Sequence, residues 1–189
     1  MRQKIVGVMG PGEQATANSQ KLAYSLGELI AQRGWILLTG GRSVGVMDAA
    51  SRGAKQAGGL TLGILPTADR TGASEAVDIV IPTGIGNARN VINVLTCDAM
   101  IACGMGSGTA SEIALALKLN RPIVLLDCSP GSQLFFQELV QGQVQELPGD
   151  PGLLHIATTP EQAVHQVEQF FYRDCLQGLQ GLQGPVGEW

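Results

Sequence analysis

Residues 98–118 read DAMIACGMGSGTASEIALALK, and this order of composition decides the architecture. An apolar run at 98–103 passes through Gly104-Met105-Gly106-Ser107-Gly108 into an alanine-rich segment of helical character from about Thr109. A run that is apolar at successive positions is buried on both faces, as strands of parallel sheets are. The three glycines lack β-carbons, so the backbone can turn sharply and approach a ligand closely. The helix that follows aims its free N–H groups and positive dipole end into the same space, which suits phosphate or another anion. Ser107 and Thr109 add hydroxyl donors there. The alternative is a tight strand-to-helix turn that binds nothing.

The same alternation extends in both directions. Apolar runs at 4–9, 35–39, 60–65, 77–82, 122–127 and 153–157 join the run at 98–103 to make about seven strands. Helical patterns fall at 16–33, 44–57, 87–97 and 109–119, with a weaker one at 132–142. Thr159 and Gln162 form a capping-box pattern, with Pro160 at the first helical position, ahead of AVHQVEQFFY. Strand–helix alternation without a long break predicts a single α/β domain, a Rossmann-like doubly wound, mostly parallel sheet, over residues 1–174. The triple Leu-Gln-Gly repeat at 176–184 shows no helical face, so 175–189 reads as a flexible tail or an arm on a neighbouring subunit.

Composition narrows the partners. The chain has 189 residues, enough for a core that needs no staples. Charged residues make up only 15%, little for a monomer's surface, so a homodimer or homotetramer is expected. A net charge of −4, no basic stripe and 4% aromatic residues argue against nucleic acid. Cys97, Cys103, Cys128 and Cys175 form no C-x-x-C pair, and His155 and His165 stand far from most of them, which argues against zinc. Cys103 and Cys128, at the ends of apolar runs, read as small buried hydrophobes. The first apolar run is too short for a signal peptide, and no stretch is long enough to span a bilayer, so a cytoplasmic location is expected and no membrane partner.

In an open parallel sheet, ligands bind beyond the carboxyl ends of the strands. Two further glycine-rich loops belong there, MGPGEQATAN at 9–18 and TGGRSVGVMDAA at 39–50. Gly10-Pro11-Gly12-Glu13-Gln14-Ala15 fits the dinucleotide fingerprint, but the second strand ends in Thr39-Gly40-Gly41-Arg42 and not in an acid for the ribose hydroxyls, so no NAD is expected. No lysine follows the glycines after Cys103, which rejects the P-loop. In the second loop, Gly40 and Gly41 permit a close turn and a helix starts near Ser43. Arg42 either binds an anion or is simply solvated. Arg89 falls in the first turn of a helix, against the dipole, which points to a carboxylate or a ligand beside it.

Together, GGRSVGVMDAA, ARN and GMGSGTASE, in this order and spacing, resemble the LOG-like proteins once labelled lysine decarboxylases. The resemblance covers roughly residues 5–127. It implies a Rossmann-like fold and, from the family's best-described enzymes, hydrolysis of the base from cytokinin nucleoside 5′-monophosphates. On that resemblance Arg89 and Glu112 match the family's Arg and Glu. Gly106, Gly108 and Thr109 match its phosphate-binding turn. Gly40, Gly41, Gly45 and Met47 match its Gly-Gly-x-x-x-Gly-x-Met loop. Two positions depart: Gly104-Met105-Gly106 stands for Pro-Gly-Gly, and Asn90 stands for the Lys that follows the Arg.

GVMGPGE, LLTGGRSVGVMDAASRGAKQAGG and IGNARN resemble more closely the molybdenum cofactor carrier branch of this family. That branch implies binding, protection and transfer of a phosphorylated pterin without turnover, with molybdoenzymes or cofactor-synthesis proteins as partners. It implies Arg89, Asn90, Ser107 and Thr109 as donors and no protein ligand to the metal. Under it, Gly10, Gly12, Gly40, Gly41, Arg42, Ser43 and the stretch from Gly104 to Thr109 line the ligand, with Glu112. Two roles for Glu112 stay open: the end of a capping box Thr109-Ala110-Ser111-Glu112, or a group that pairs with Arg89 and holds the ligand about one helical turn, ~5 Å, beyond its phosphate.

Overall fold

A computed structural model describes residues 2–143 and 152–181. Seven strands form one sheet: β1 (Ile5–Met9), β2 (Ile36–Thr39), β3 (Thr61–Leu65), β4 (Ile79–Pro82), β5 (Ala99–Cys103), β6 (Ile123–Leu126) and β7 (Leu154–Ala157). Their order is β4-β3-β2-β1-β5-β6-β7, and every pairing is parallel. The chain winds outward from β1 to β4, then returns to lay β5 against the other side of β1, with Val6 opposite Ala99 and Met9 opposite Ala102. Loops leaving β1 and β5 therefore diverge to opposite faces of the sheet and open a crevice at their carboxyl ends.

The helices are α1 (Ala17–Gln32), α2 (Gly45–Gln56), α3 (Arg89–Thr96), α4 (Ser107–Lys118), α5 (Pro130–Gln143) and α6 (Pro160–Gly181). They cover both faces. Along β5, Ala99, Ile101 and Cys103 join the core under α1, α2 and α6, while Met100 and Ala102 join the core under α3, α4 and α5. All five β5 residues are buried, which is the two-sided burial that continuous apolarity implies.

Two boundaries differ from expectation. Helix α4 starts at Ser107 with Gly106 as its cap residue, two residues before Thr109. Helix α6 runs on to Gly181, past the domain end expected near 174. Val164, Val167 and Phe170 dock α6 on the core, and a helix once nucleated extends more easily than a new one starts. Its start uses Thr159 Oγ1, which accepts from Gln162 N–H at 3.2 Å, and Gln162 Oε1 accepts from Thr158 N–H at 3.0 Å. Residues 182–189 lie outside the described residues.

Candidate binding site

The crevice at the ends of β1, β2 and β5 holds a cavity of about 340 Å³. Gly10, Gly12, Gly40, Arg42, Arg89, Asn90, Gly106, Ser107, Gly108, Thr109 and Glu112 all line it, drawn from four separate segments. Four other expected residues serve the walls instead. Gly41 adopts φ +75 and lies so close to β3 that a β-carbon would come 3.0 Å from the Gly63 backbone. Ser43 donates its N–H to Gly72 O at 2.8 Å. Gly104 donates its N–H to Leu126 O at 2.9 Å, and Met105 packs on the core under α4.

The starts of α2, α3 and α4 line the cavity and that of α1 follows the first loop, and they are not equivalent; at the start of α3, Arg89 N–H donates back to Gly86 O. Thr16 caps α1, accepting from Ser19 N–H at 3.0 Å. The start of α2 is closed by the first loop: Val46 N–H donates to Pro11 O at 3.1 Å, and a β-carbon on Gly45 would lie 2.1 Å from Gly12 O. The second loop therefore does not repeat the anion-binding logic of the third. The start of α4 has neither a side-chain cap nor a carbonyl from another segment against it. Its first intrahelical bond is Ala110 N–H to Gly106 O at 2.8 Å, which leaves the amides of Ser107, Gly108 and Thr109 facing the cavity. The Thr109 Oγ1 beside them is buried without a partner. A buried polar atom without a partner costs about 1–3 kcal/mol, which a ligand oxygen would offset.

Arg89 reaches the floor from the first turn of α3. Its Nη1 donates to Ile64 O at 2.6 Å, its Nε has no partner, and only 9% of the residue is exposed. The guanidinium lies directly over Gly40, where a β-carbon would come within 2.3 Å of Nη1 and 2.6 Å of Met47 Sδ. Gly40 is thus glycine to give Arg89 passage. Burial presses the Arg89 pKa down, Glu112 opposes that and Arg42 adds to it. The side chain stays charged, and Arg89 lines the cavity.

Glu112 does not cap. With α4 starting at Ser107, the carboxylate sits in the second turn, and its Oε1 accepts from Asn93 Nδ2 at 2.7 Å. Burial pushes its pKa up to about 6, against the Asn93 hydrogen bond and the Arg89 charge. Asn90 donates to Ser111 Oγ at 2.7 Å, and Ser111 in turn donates to Gly108 O. Asn90 and Asn93, one turn apart, thus lock α3 to the first two turns of α4. Asn93 was not singled out in the sequence; a polar residue three places after Asn90, amid Val91, Ile92 and Val94, was the available signal. Glu13, Gln14 and Asn87 also join the lining, from loops whose closure a sequence does not display.

Cys97, Cys103 and Cys128 are buried, and burial pushes their thiols up to about 12, 12 and 11. They are packing residues. Among the described residues no group of three His, Cys, Asp or Glu side chains could hold a metal ion.

A model of the SLOG cluster4 family matches residues 3–164. The molybdenum cofactor binding protein of Rippkaea orientalis is 52% identical and superposes with a TM-score of 0.80, over 90% of this chain and 99% of that one. The Moco carrier protein of Chlamydomonas reinhardtii is 47% identical with a TM-score of 0.81, over 91% and 99%. A cytokinin riboside 5′-monophosphate phosphoribohydrolase of Mycobacterium tuberculosis is 34% identical over 115 residues, 57% of this chain and 62% of that enzyme.

Proposed function

The chain belongs to the SLOG cluster4 family, and from that footing we propose that it binds the molybdenum cofactor, protects it and passes it on without turnover. One observation carries the reading. The start of α4 offers amides without a side-chain cap, and they stand beside the unpartnered Thr109 Oγ1. That is a berth for a terminal phosphate. Arg89, with an unpartnered Nε, and Asn90 face the rest of the ligand, whose oxygen-rich pterin and metal edges need donors. The protein supplies no metal ligand in this reading, because the pterin's own sulfurs hold the metal.

Similarity to proteins named as cofactor binders along nearly their whole length supports the carrier role. A second reading, a nucleoside 5′-monophosphate phosphoribohydrolase, draws on Arg89 and Glu112 sharing the cavity. Against it, Asn90 replaces the lysine of the family pattern, so the cation that pattern places beside the Arg is missing. A homodimer or homotetramer belongs to the proposal as well. Ile79 and Ile81 on the edge strand β4, with Ile85 and Leu95, present apolar side chains to solvent. A cytoplasmic setting and delivery to molybdoenzymes or cofactor-synthesis proteins complete it.

The test is direct. Purified protein is oxidised and its pterin fluorescence is measured, then protein is incubated with nucleoside monophosphates and free base is assayed. Co-purified pterin that is lost in Thr109→Val, without base release, is the expected result. Turnover of a nucleoside monophosphate that disappears in Glu112→Gln overturns the carrier reading in favour of the hydrolase.

A further inference from the structure

Two loops meet at the cavity through opposite charges. Glu13, on the loop after β1, accepts from Arg42 Nη2, on the loop after β2, and both residues line the cavity. The backbone on each side is held. Ala15 N–H donates to Gly12 O at 3.0 Å, closing a turn around Glu13. Val44 N–H donates to Arg42 O at 2.9 Å, and Arg42 bridges to Ala73. The side chains, by contrast, are free to part, with 67% of Glu13 and 41% of Arg42 exposed. Arg42 also lies near enough to Arg89 for its charge to oppose that guanidinium.

The cavity therefore contains two guanidiniums and two carboxylates. Glu112 is held by Asn93 and compensates Arg89 at a distance. Of these two carboxylates, Glu13 is the one that makes direct contact with a cavity guanidinium. We propose that Glu13 is an internal competitor, a carboxylate that engages Arg42 Nη2 and must yield it when an anionic ligand enters. Arg42 is then a second anion contact, held in reserve, and the Glu13–Arg42 pair sets how readily the ligand leaves. This rests on the anion-binding reading above. It gives the cavity a reversible grip, since a departing anion is replaced at Arg42 by a carboxylate of the same chain.

The test uses inorganic pyrophosphate and the full-length protein, with affinity by calorimetry and dissociation by stopped flow. Four proteins are compared: wild type, Glu13→Gln, Arg42→Gln and the double variant. An exposed ion pair is worth little, so Glu13→Gln is expected to bind about two- to five-fold tighter, mostly through slower release, with the gain shrinking in high salt. Arg42→Gln is expected to bind more weakly, and adding Glu13→Gln to it is expected to change nothing further. Wild type that binds while Glu13→Gln binds no tighter sinks the competitor and leaves the berth standing. A Glu13→Gln gain of equal size without Arg42 also sinks it, because Glu13 would then act as a plain repelling charge. No binding by any of the four removes the berth and the competitor together.

Discussion

Replacing Glu112 by glutamine is expected to stabilise the fold at neutral pH and to lose that advantage in acid. The carboxyl titrates near 6 in the folded protein against an ordinary 4.5, because burial disfavours the charged form more than Asn93 and Arg89 favour it. Between those values the folded chain holds more protons than the unfolded one. Stability therefore falls as pH rises through the window from 4.5 to about 6, and the full penalty persists above it. The shift corresponds to about 2 kcal/mol at pH 7.5 and to well under about 1 kcal/mol at pH 4.5. Glutamine carries no charge to desolvate and keeps an oxygen for Asn93 Nδ2, the bond seen at 2.7 Å. Urea unfolding of wild type and Glu112→Gln at equal protein concentration measures the difference. In melting temperature it amounts to roughly 4–8 °C at pH 7.5 for a chain of this size. An advantage of the same size at pH 4.5 and 7.5, or a variant less stable than wild type at pH 7.5, would refute the reasoning. The penalty is placed at an acid that lines the cavity, as strain at binding sites commonly is.

Gly108→Ala is expected to leave the fold intact or slightly firmer, since a β-carbon there meets nothing within 4 Å and alanine favours helix by up to about 1 kcal/mol. Pyrophosphate affinity should nevertheless drop several-fold, because the added methyl stands at the amides of the berth; unaltered affinity would show that this space is not used. Gly40→Ala is expected to cut the same affinity more severely, by displacing the Arg89 guanidinium that lies 2.3 Å from the new carbon. Retention of wild-type affinity there would dissociate Arg89 from binding. Of the four thiols, Cys175 alone is exposed, so Ellman's reagent at pH 8 should titrate one per folded chain and four in denaturant.

Much of this was legible before any coordinates. The seven strands and six helices fall where continuous apolar runs and helical spacing put them, because both patterns are local consequences of which faces must be buried. The run from Ala99 to Cys103 into three glycines announces a strand end, a turn and a helix start aimed into the cavity. Arg89 and Glu112 stand out as charges in places where charge is expensive. The end of α6 was less legible: a glycine at every third position lowers helical preference, and docking upstream carries the helix through the first two Leu-Gln-Gly units.

What the chain's order determined by itself is the alternation of elements, and so the side of the sheet at which its glycine loops gather. Which of those loops offers free amides was settled only by packing. The α2 start looked like the α4 start, yet Pro11 O closes it, from a segment over thirty residues away along the chain. Gly40 is required by Arg89, and Glu112 turns to Asn93 and not to its own helix start. Each of these contacts joins residues distant in sequence, where no periodicity or propensity records the partner, so only the closed three-dimensional arrangement assigns them.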